Sequence, residues 1–169
     1  MPRGQPRWVQ RGILGAVCML VIGVYAYTAQ LGVFELLSQD GAANNCYNLL
    51  VQGFRTGQLS LKERVPLGLK QLANPYDGDA NLAYRTKYWI NDLSYYKGRL
   101  YLYFGITPAL LLFWPVVALT GHYVFDSQAV AIFCAVGFLA TVGLLHALWR
   151  RYFPEVSVAV VAAGALALG

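Results

Sequence analysis

The sequence predicts a mainly α-helical, polytopic integral membrane protein, its transmembrane helices flanking one outer-face loop that carries an amphipathic helix and a short β-hairpin. Three observations carry that prediction. Apolar residues fall in long uninterrupted runs, and only 12% of the 169 residues are charged, against roughly 25% in soluble domains. A more polar stretch of about 70 residues, Glu35 to Tyr103, separates the first apolar run from the others. The tyrosine-rich end of that stretch then passes without a linker into a second apolar segment, Gly105 to Gly121.

Residues 1–12 form a basic start with Arg3, Arg7 and Arg11, which places the N-terminus in the cytoplasm by the positive-inside rule. Ile13 to Phe34 is uncharged and reaches about 33 Å as a helix, enough to span a bilayer core of about 30 Å. A signal peptide shares the basic start, but its apolar core is shorter and its cleavage site richer in small residues than Ala26-Tyr27-Thr28. An uncleaved anchor is the preferred reading.

Residues 35–104 form the outer, periplasmic loop, with six of the eight acidic residues: Glu35, Asp40, Glu63, Asp77, Asp79 and Asp92. Residues 42–56 read as a juxtamembrane amphipathic helix, with Tyr47, Leu50, Val51 and Phe54 on one face and Gly57 as the stop. Such a helix is suited to lie on the membrane surface. Asn74-Pro75-Tyr76-Asp77-Gly78 reads as a turn. Residues 92–103 read as a hairpin, Asp92 to Tyr96 and Arg99 to Tyr103, in which Gly98 supplies the positive φ of a two-residue turn.

The segment 105–121 is membrane-embedded or re-entrant. Its 17 residues are at the lower limit for a span, and Pro115 interrupts them. If it crosses, Arg150-Arg151 lies outside, against the positive-inside rule. If it dips in and returns, the transmembrane helix 127–149 runs inward and the loop 150–155 is cytoplasmic, which is preferred. Residues 156–169 start a further helix and stop after 14 residues, where a span needs about 20. The chain is therefore expected to be the N-terminal portion of a longer protein.

The net charge of +5 is dispersed, without a basic stripe or nucleic-acid motif, and excludes nucleic acid as an expected partner; the lipid bilayer is the expected one. Cys18, Cys46, Cys134, His122 and His146 are isolated, so no metal site is expected. Asp77, Asp79 and Asn81 have the opening spacing of a calcium loop, but Leu82 stands where that loop needs Gly, and no Glu closes it. A divalent metal is thus not indicated by ligand spacing, and the cofactor is left unassigned. Asp40, just past the first span, is the first candidate catalytic carboxylate; a helix cap for 42–56 is its competing role. Asp92 is the second, against a solvated turn residue. Arg85, Lys97 and Arg99, beside Tyr95 and Tyr96, are candidates for binding a phosphate or a sugar; an interfacial aromatic belt with snorkelling cations is the alternative.

The order Asp40, then Asn45-Cys46-Tyr47-Asn48-Leu49-Leu50, then Gly57-Gln58-Leu59-Ser60-Leu61 resembles the N-terminal part of the C-type (GT-C) membrane glycosyltransferases, the protein mannosyltransferase and aminoarabinose transferase superfamily. Ser94 to Leu112 is similar to a segment of uncharacterised bacterial members. Gly41 stands where the mannosyltransferases have the second acid, and Ile106-Thr107-Pro108 replaces their His-Pro-Pro. The resemblance implies a multi-pass enzyme of the bacterial inner membrane that moves a sugar from a polyprenyl-phosphate donor to an acceptor on the outer face. It implies Asp40 as the residue that activates the acceptor. A non-catalytic membrane protein, a polysaccharide-assembly or transport subunit or an accessory anchor, is the alternative.

Overall fold

The computed structural model describes residues 6–34, 39–88, 90 and 92–169, the side chains of 31–34, 39 and 40 excepted. The chain is mainly helical, with one two-stranded antiparallel sheet. It divides into two compact units, Met1–Leu36 with Ser127–Gly169, and Leu37–Asp126.

The first unit is three helices: α1 (Arg7–Phe34), α7 (Asp126–Tyr152) and α8 (Val158–Ala167). α1 and α7 are long and apolar enough to cross a membrane. Both exceed their expected bounds. α1 begins at Arg7, inside the stretch expected as a cytoplasmic start, and α7 continues to Tyr152, taking Arg150 and Arg151 out of the expected loop. Asp126 in the first turn and the two arginines in the last complement the dipole of α7, which favours the longer helix.

The apolar stripe of α1 decides the packing. Leu14 meets Trp149, Val158 and Val161, while seven residues on Val21 meets Phe138, Val142 and Ala165. As α1 ascends, the partners in α7 fall in number and those in α8 rise, so α7 is antiparallel to α1 and α8 parallel to it. The Tyr25 ring meets Phe138 edge-on at 6.4 Å, and its hydroxyl donates to the Gly169 carbonyl at 2.8 Å. Most of the remaining surface of α1 and α7 is exposed apolar side chain, including Met19, Leu20, Val136 and Leu144.

In the second unit, the single helix expected over 42–56 is two, α2 (Gln39–Ala43) and α3 (Cys46–Arg55). Asn45 breaks it by acting as a cap: extended at φ −74°, ψ 158°, it accepts the Asn48 N–H at 3.0 Å and starts α3 afresh. The same corner is tied to the connection before α7. Asn45 Nδ2 donates to the Val124 carbonyl at 3.2 Å, and the fully buried Asn48 Nδ2 donates to Ala42 and Val124 carbonyls, both at 2.8 Å.

The face of α3 expected to meet membrane is partly covered by its own chain. Leu50 and Val51 are buried, Tyr47 stacks on Phe113 at 5.1 Å, and Phe54 lies 5.6 Å from Trp114. Its other side sends Leu49 into the core of the unit, with Leu61, Val65, Leu69, Ile90, Leu93 and Leu100. Gly53 permits close approach of the following strand-like segment, because a Cβ there would collide with the Ser60 carbonyl oxygen. Leu61 N–H then reaches the Leu100 carbonyl at 2.9 Å, joining α3 to the hairpin.

Two helices appear where none was expected, α4 (Leu67–Lys70) and α5 (Gly78–Lys87). The Asp77-x-Asp79 pair is the start of α5: Asp77 Oδ1 accepts the Asp79 N–H at 3.0 Å. The hairpin is β1 (Leu93–Tyr96) paired with β2 (Arg99–Leu102), Tyr95 opposite Leu100 and Tyr96 opposite Arg99. Both turn residues have positive φ, 45° at Lys97 and 78° at Gly98, the signature of a type I′ turn whose twist matches that of the strands.

Gly105 to Gly121 contains a π-helical turn, Ala109–Phe113, running directly into α6 (Trp114–Thr120). Trp114 N–H bonds to the Ala109 carbonyl five residues back. Pro115 has no N–H and crowds the carbonyl four residues before it; a wider turn in front of the ring relieves that crowding. The helical stretch Ala109–Thr120 is about 18 Å long, short of a hydrocarbon core of about 30 Å.

Candidate functional site

The site is built by the turn before α5, by α5 itself and by the inner face of the hairpin. Asn74 Oδ1 accepts the Tyr76 N–H at 3.1 Å, which folds the turn, and Asn81 Nδ2 donates to the Pro75 carbonyl at 3.0 Å, which clamps α5 to it. Asn81 and Arg85 are four residues apart and share one helix face. Across from them, strand alternation turns Leu93, Tyr95 and Leu100 inward. The result is a cleft of about 180 Å³ whose polar walls are Tyr76, Asn81, Arg85, Ser94 and Tyr95, over an apolar floor that includes Leu69 and Leu100. The Tyr76 and Tyr95 rings lie 5.8 Å apart, tilted by 43°. A guanidinium, two phenol rings, a hydroxyl and an amide around an apolar floor suit a sugar ring or a phosphate ester.

The fold divides the residues expected to bind substrate. Arg85 and Tyr95 meet in the cleft. Tyr96 and Arg99 are cross-strand partners on the opposite face of the hairpin, both exposed, and the Lys97 ammonium sits 5.2 Å over the Tyr96 ring. Successive side chains of a strand point to opposite faces, and Tyr95 lines the cleft while Tyr96 does not.

Asp40 belongs to α2, and its side chain lies outside the described residues. Asp92 precedes β1 and is exposed. Its charge is felt at Cys46: burial pushes that thiol upward, and then Asp126 and Asp92 add to the shift. Burial, followed by Asp126, also raises the Tyr47 phenol. Asp126 thus acts on both Cys46 and Tyr47, and Asp92 on Cys46, a link invisible in the sequence, where Asp126 only opens an apolar run. Among the described residues, no group of three or more His, Cys, Asp or Glu side chains is placed to hold a metal.

A second concavity in the same unit is apolar. Phe54, Leu59, Ile106, Leu110 and Trp114, with Gly57 and Gln58, line a groove of about 300 Å³. Leu59, Ile106, Leu110 and Trp114 are all exposed in it. No protein-family model, curated protein or solved structure matches the chain.

Proposed function

We propose that the chain is the N-terminal part of a polytopic bacterial inner-membrane glycosyltransferase that takes a polyprenyl-phosphate-linked sugar as donor and acts on the outer face. The observation that carries the proposal is the pairing, in one unit, of an arginine- and tyrosine-lined cleft with an exposed apolar groove. A lipid-linked sugar has those two halves. The cleft suits its polar head, and the groove suits a run of isoprenoid carbons.

The helix directions support an outer-face location. α1 starts at the arginine-rich N-terminus, and the antiparallel α7 ends in Arg150-Arg151. If both cross the bilayer, both basic ends are cytoplasmic, as the positive-inside rule favours, and residues 37–126 all lie outside. Gly105–Gly121 then belongs to the outer leaflet. A reporter fused after Tyr152 is expected to signal from the cytoplasm; an external signal overturns this topology.

In the reaction, the Asp40 carboxylate takes the proton of an acceptor hydroxyl as that oxygen attacks the anomeric carbon. The bond from that carbon to the phosphate oxygen breaks, and polyprenyl phosphate leaves with the bonding electrons. Arg85 offsets charge on the phosphate, and Asp92 is the weaker alternative base. Transfer of a radiolabelled sugar from polyprenyl phosphate, measured in membranes holding the full protein, tests the assignment. Asp40→Asn is expected to lower transfer at least 100-fold, within the usual range for general-base loss, with insertion unchanged. Undiminished transfer removes Asp40 from the mechanism.

A specific observation favours a second reading, a non-catalytic component that binds a glycan on the outer face. Among the described residues, no carboxylate lines the cleft or the groove. Labelled donor that stays bound and is never consumed, in membranes holding the full protein, selects this reading.

A further inference from the structure

The end of the three-helix unit where α1 begins and α7 finishes carries a basic cleft that the proposed sugar transfer does not use. Arg7, Gln10, Arg11 and Leu14 stand at i, i+3, i+4 and i+7 of α1, one stripe along the helix. His146 and Arg150 stand four apart on α7. Because the helices are antiparallel, the first turns of α1 and the last turns of α7 meet, and these six residues line one small cleft of about 40 Å³. Its floor is the packed seam of Leu14 against Trp149 and Val158. That space exceeds what one water needs, ~10–15 Å³.

Arg7, Arg11 and Arg150 are exposed, and Glu155 is the one acid in the nearby sequence. Three guanidiniums lining one cleft repel one another, and an anion between them offsets that repulsion. Arginine forks match a tetrahedral oxyanion in geometry as well as charge. Trp8, 76% exposed beside Arg7, and the exposed Tyr152 and Phe153 near Arg150 give this end the aromatic rim of a membrane–water boundary. Basic pockets between helices at the cytoplasmic surface hold phospholipid headgroups.

We propose that Arg7, Arg11 and Arg150, with His146, form a binding site for a phosphate group at the cytoplasmic end of α1 and α7. The site clamps the two helices through a shared anion, and a phospholipid headgroup or a free phosphate has the required chemistry. The inference shares with the proposed function only the membrane crossing of α1 and α7, and its test reads no sugar transfer.

The full chain is reconstituted in vesicles of equal phosphatidylglycerol and phosphatidylcholine and extracted in a non-ionic detergent. Native mass spectrometry then counts the lipids retained. Phosphatidylglycerol is expected to be retained about tenfold over phosphatidylcholine, and each arginine removed should cost about tenfold in retention. Arg7→Gln with Arg150→Gln should abolish it, while Arg151→Gln, at the same helix end but outside the cleft, should not. Where the double variant fails to fold, Arg11→Gln alone reports on the same cleft, with about tenfold loss expected. In a second arm, millimolar inorganic phosphate is added to the extracted protein. Displacement of the lipid assigns the site to phosphate in general, and persistence of the lipid assigns it to the headgroup; both support the proposal. Equal retention of the two lipids, or cleft variants indistinguishable from Arg151→Gln, overturns it.

Discussion

Gly53→Ala is the substitution whose sign best tests the packing of the second unit. In an unobstructed helix, replacing Gly with Ala stabilises by about 1 kcal/mol. At Gly53 the new methyl would run into the Ser60 carbonyl oxygen, with the Ser60 carbonyl carbon 3.3 Å away and the Gln58 carbonyl oxygen 3.4 Å away. These are backbone atoms, so the segment itself has to move. That segment is held by Gln58 N–H to the Gly53 carbonyl at 3.0 Å, Leu61 N–H to Leu100 at 2.9 Å and Lys62 N–H to Leu49 at 3.1 Å. Weakening two or three such bonds, at about 1 kcal/mol each, outweighs the helix gain and leaves a net loss of about 1–2 kcal/mol. Denaturant unfolding in detergent micelles measures the total, and hydrogen exchange at Leu61 and Lys62 locates it. Gly137→Ala in α7, where a Cβ meets nothing within 4 Å, is the control and should gain about 1 kcal/mol, the opposite sign. A Gly53→Ala protein as stable as wild type, with Leu61 exchange unchanged, refutes the close approach.

The turn and the buried polar groups make further predictions. Lys97→Asn should stabilise the hairpin by about 0.5–1 kcal/mol, because Asn tolerates the left-handed region that Lys97 occupies; Gly98→Ala, at φ 78°, should cost about 1–2 kcal/mol, both read by thermal unfolding. Asn48→Ala removes two donors from the Ala42 and Val124 carbonyls and also removes an Oδ1 that has no partner, so a net loss of about 1–2 kcal/mol is expected, with faster exchange at the α2–α3 corner. Cys46 should alkylate far more slowly than the same cysteine in the unfolded chain, read by peptide mass spectrometry. Its folded thiol is raised by burial and two carboxylates; the resulting stability is fully present below the unfolded thiol's range and is lost as pH rises through the folded one.

The long helices were legible because an uninterrupted apolar run has few alternatives, and the hairpin because Lys97-Gly98 sits between two tyrosine-rich runs. The break at Asn44-Asn45 was harder. Periodicity runs straight through it, and only the capping preference of Asn45, weighed against the apolar spacing, predicts a new start. α5 was hidden for another reason. It buries Asn81 and half-buries Tyr84 and Arg85, so it lacks the apolar stripe that marks a helix, although Asp77 was readable as its cap. The candidate site was half legible. Strand alternation alone separates Tyr95 from Tyr96, whereas the meeting of Tyr95 with Arg85 and Tyr76 depends on how α5 docks, which no local pattern encodes. The resemblance to a glycosyltransferase family rests on short runs, and one of them, Asn45 to Leu50, is accounted for by capping and by ties to Val124.

The π-turn has a consequence for rotational phase. The buried positions of its segment, Ala109, Phe113 and Val117, recur every four residues. In an α-helix, with 3.6 residues per turn, each such step overshoots by about 40°, and the buried line would wind away from α3. A wider turn needs more residues per revolution and removes part of that overshoot where Phe113 must land on Tyr47. The four-residue spacing and the proline beyond it therefore specify the same thing. The segment keeps one straight buried line, and the faces to either side, Leu111 and Leu119 among them, stay exposed.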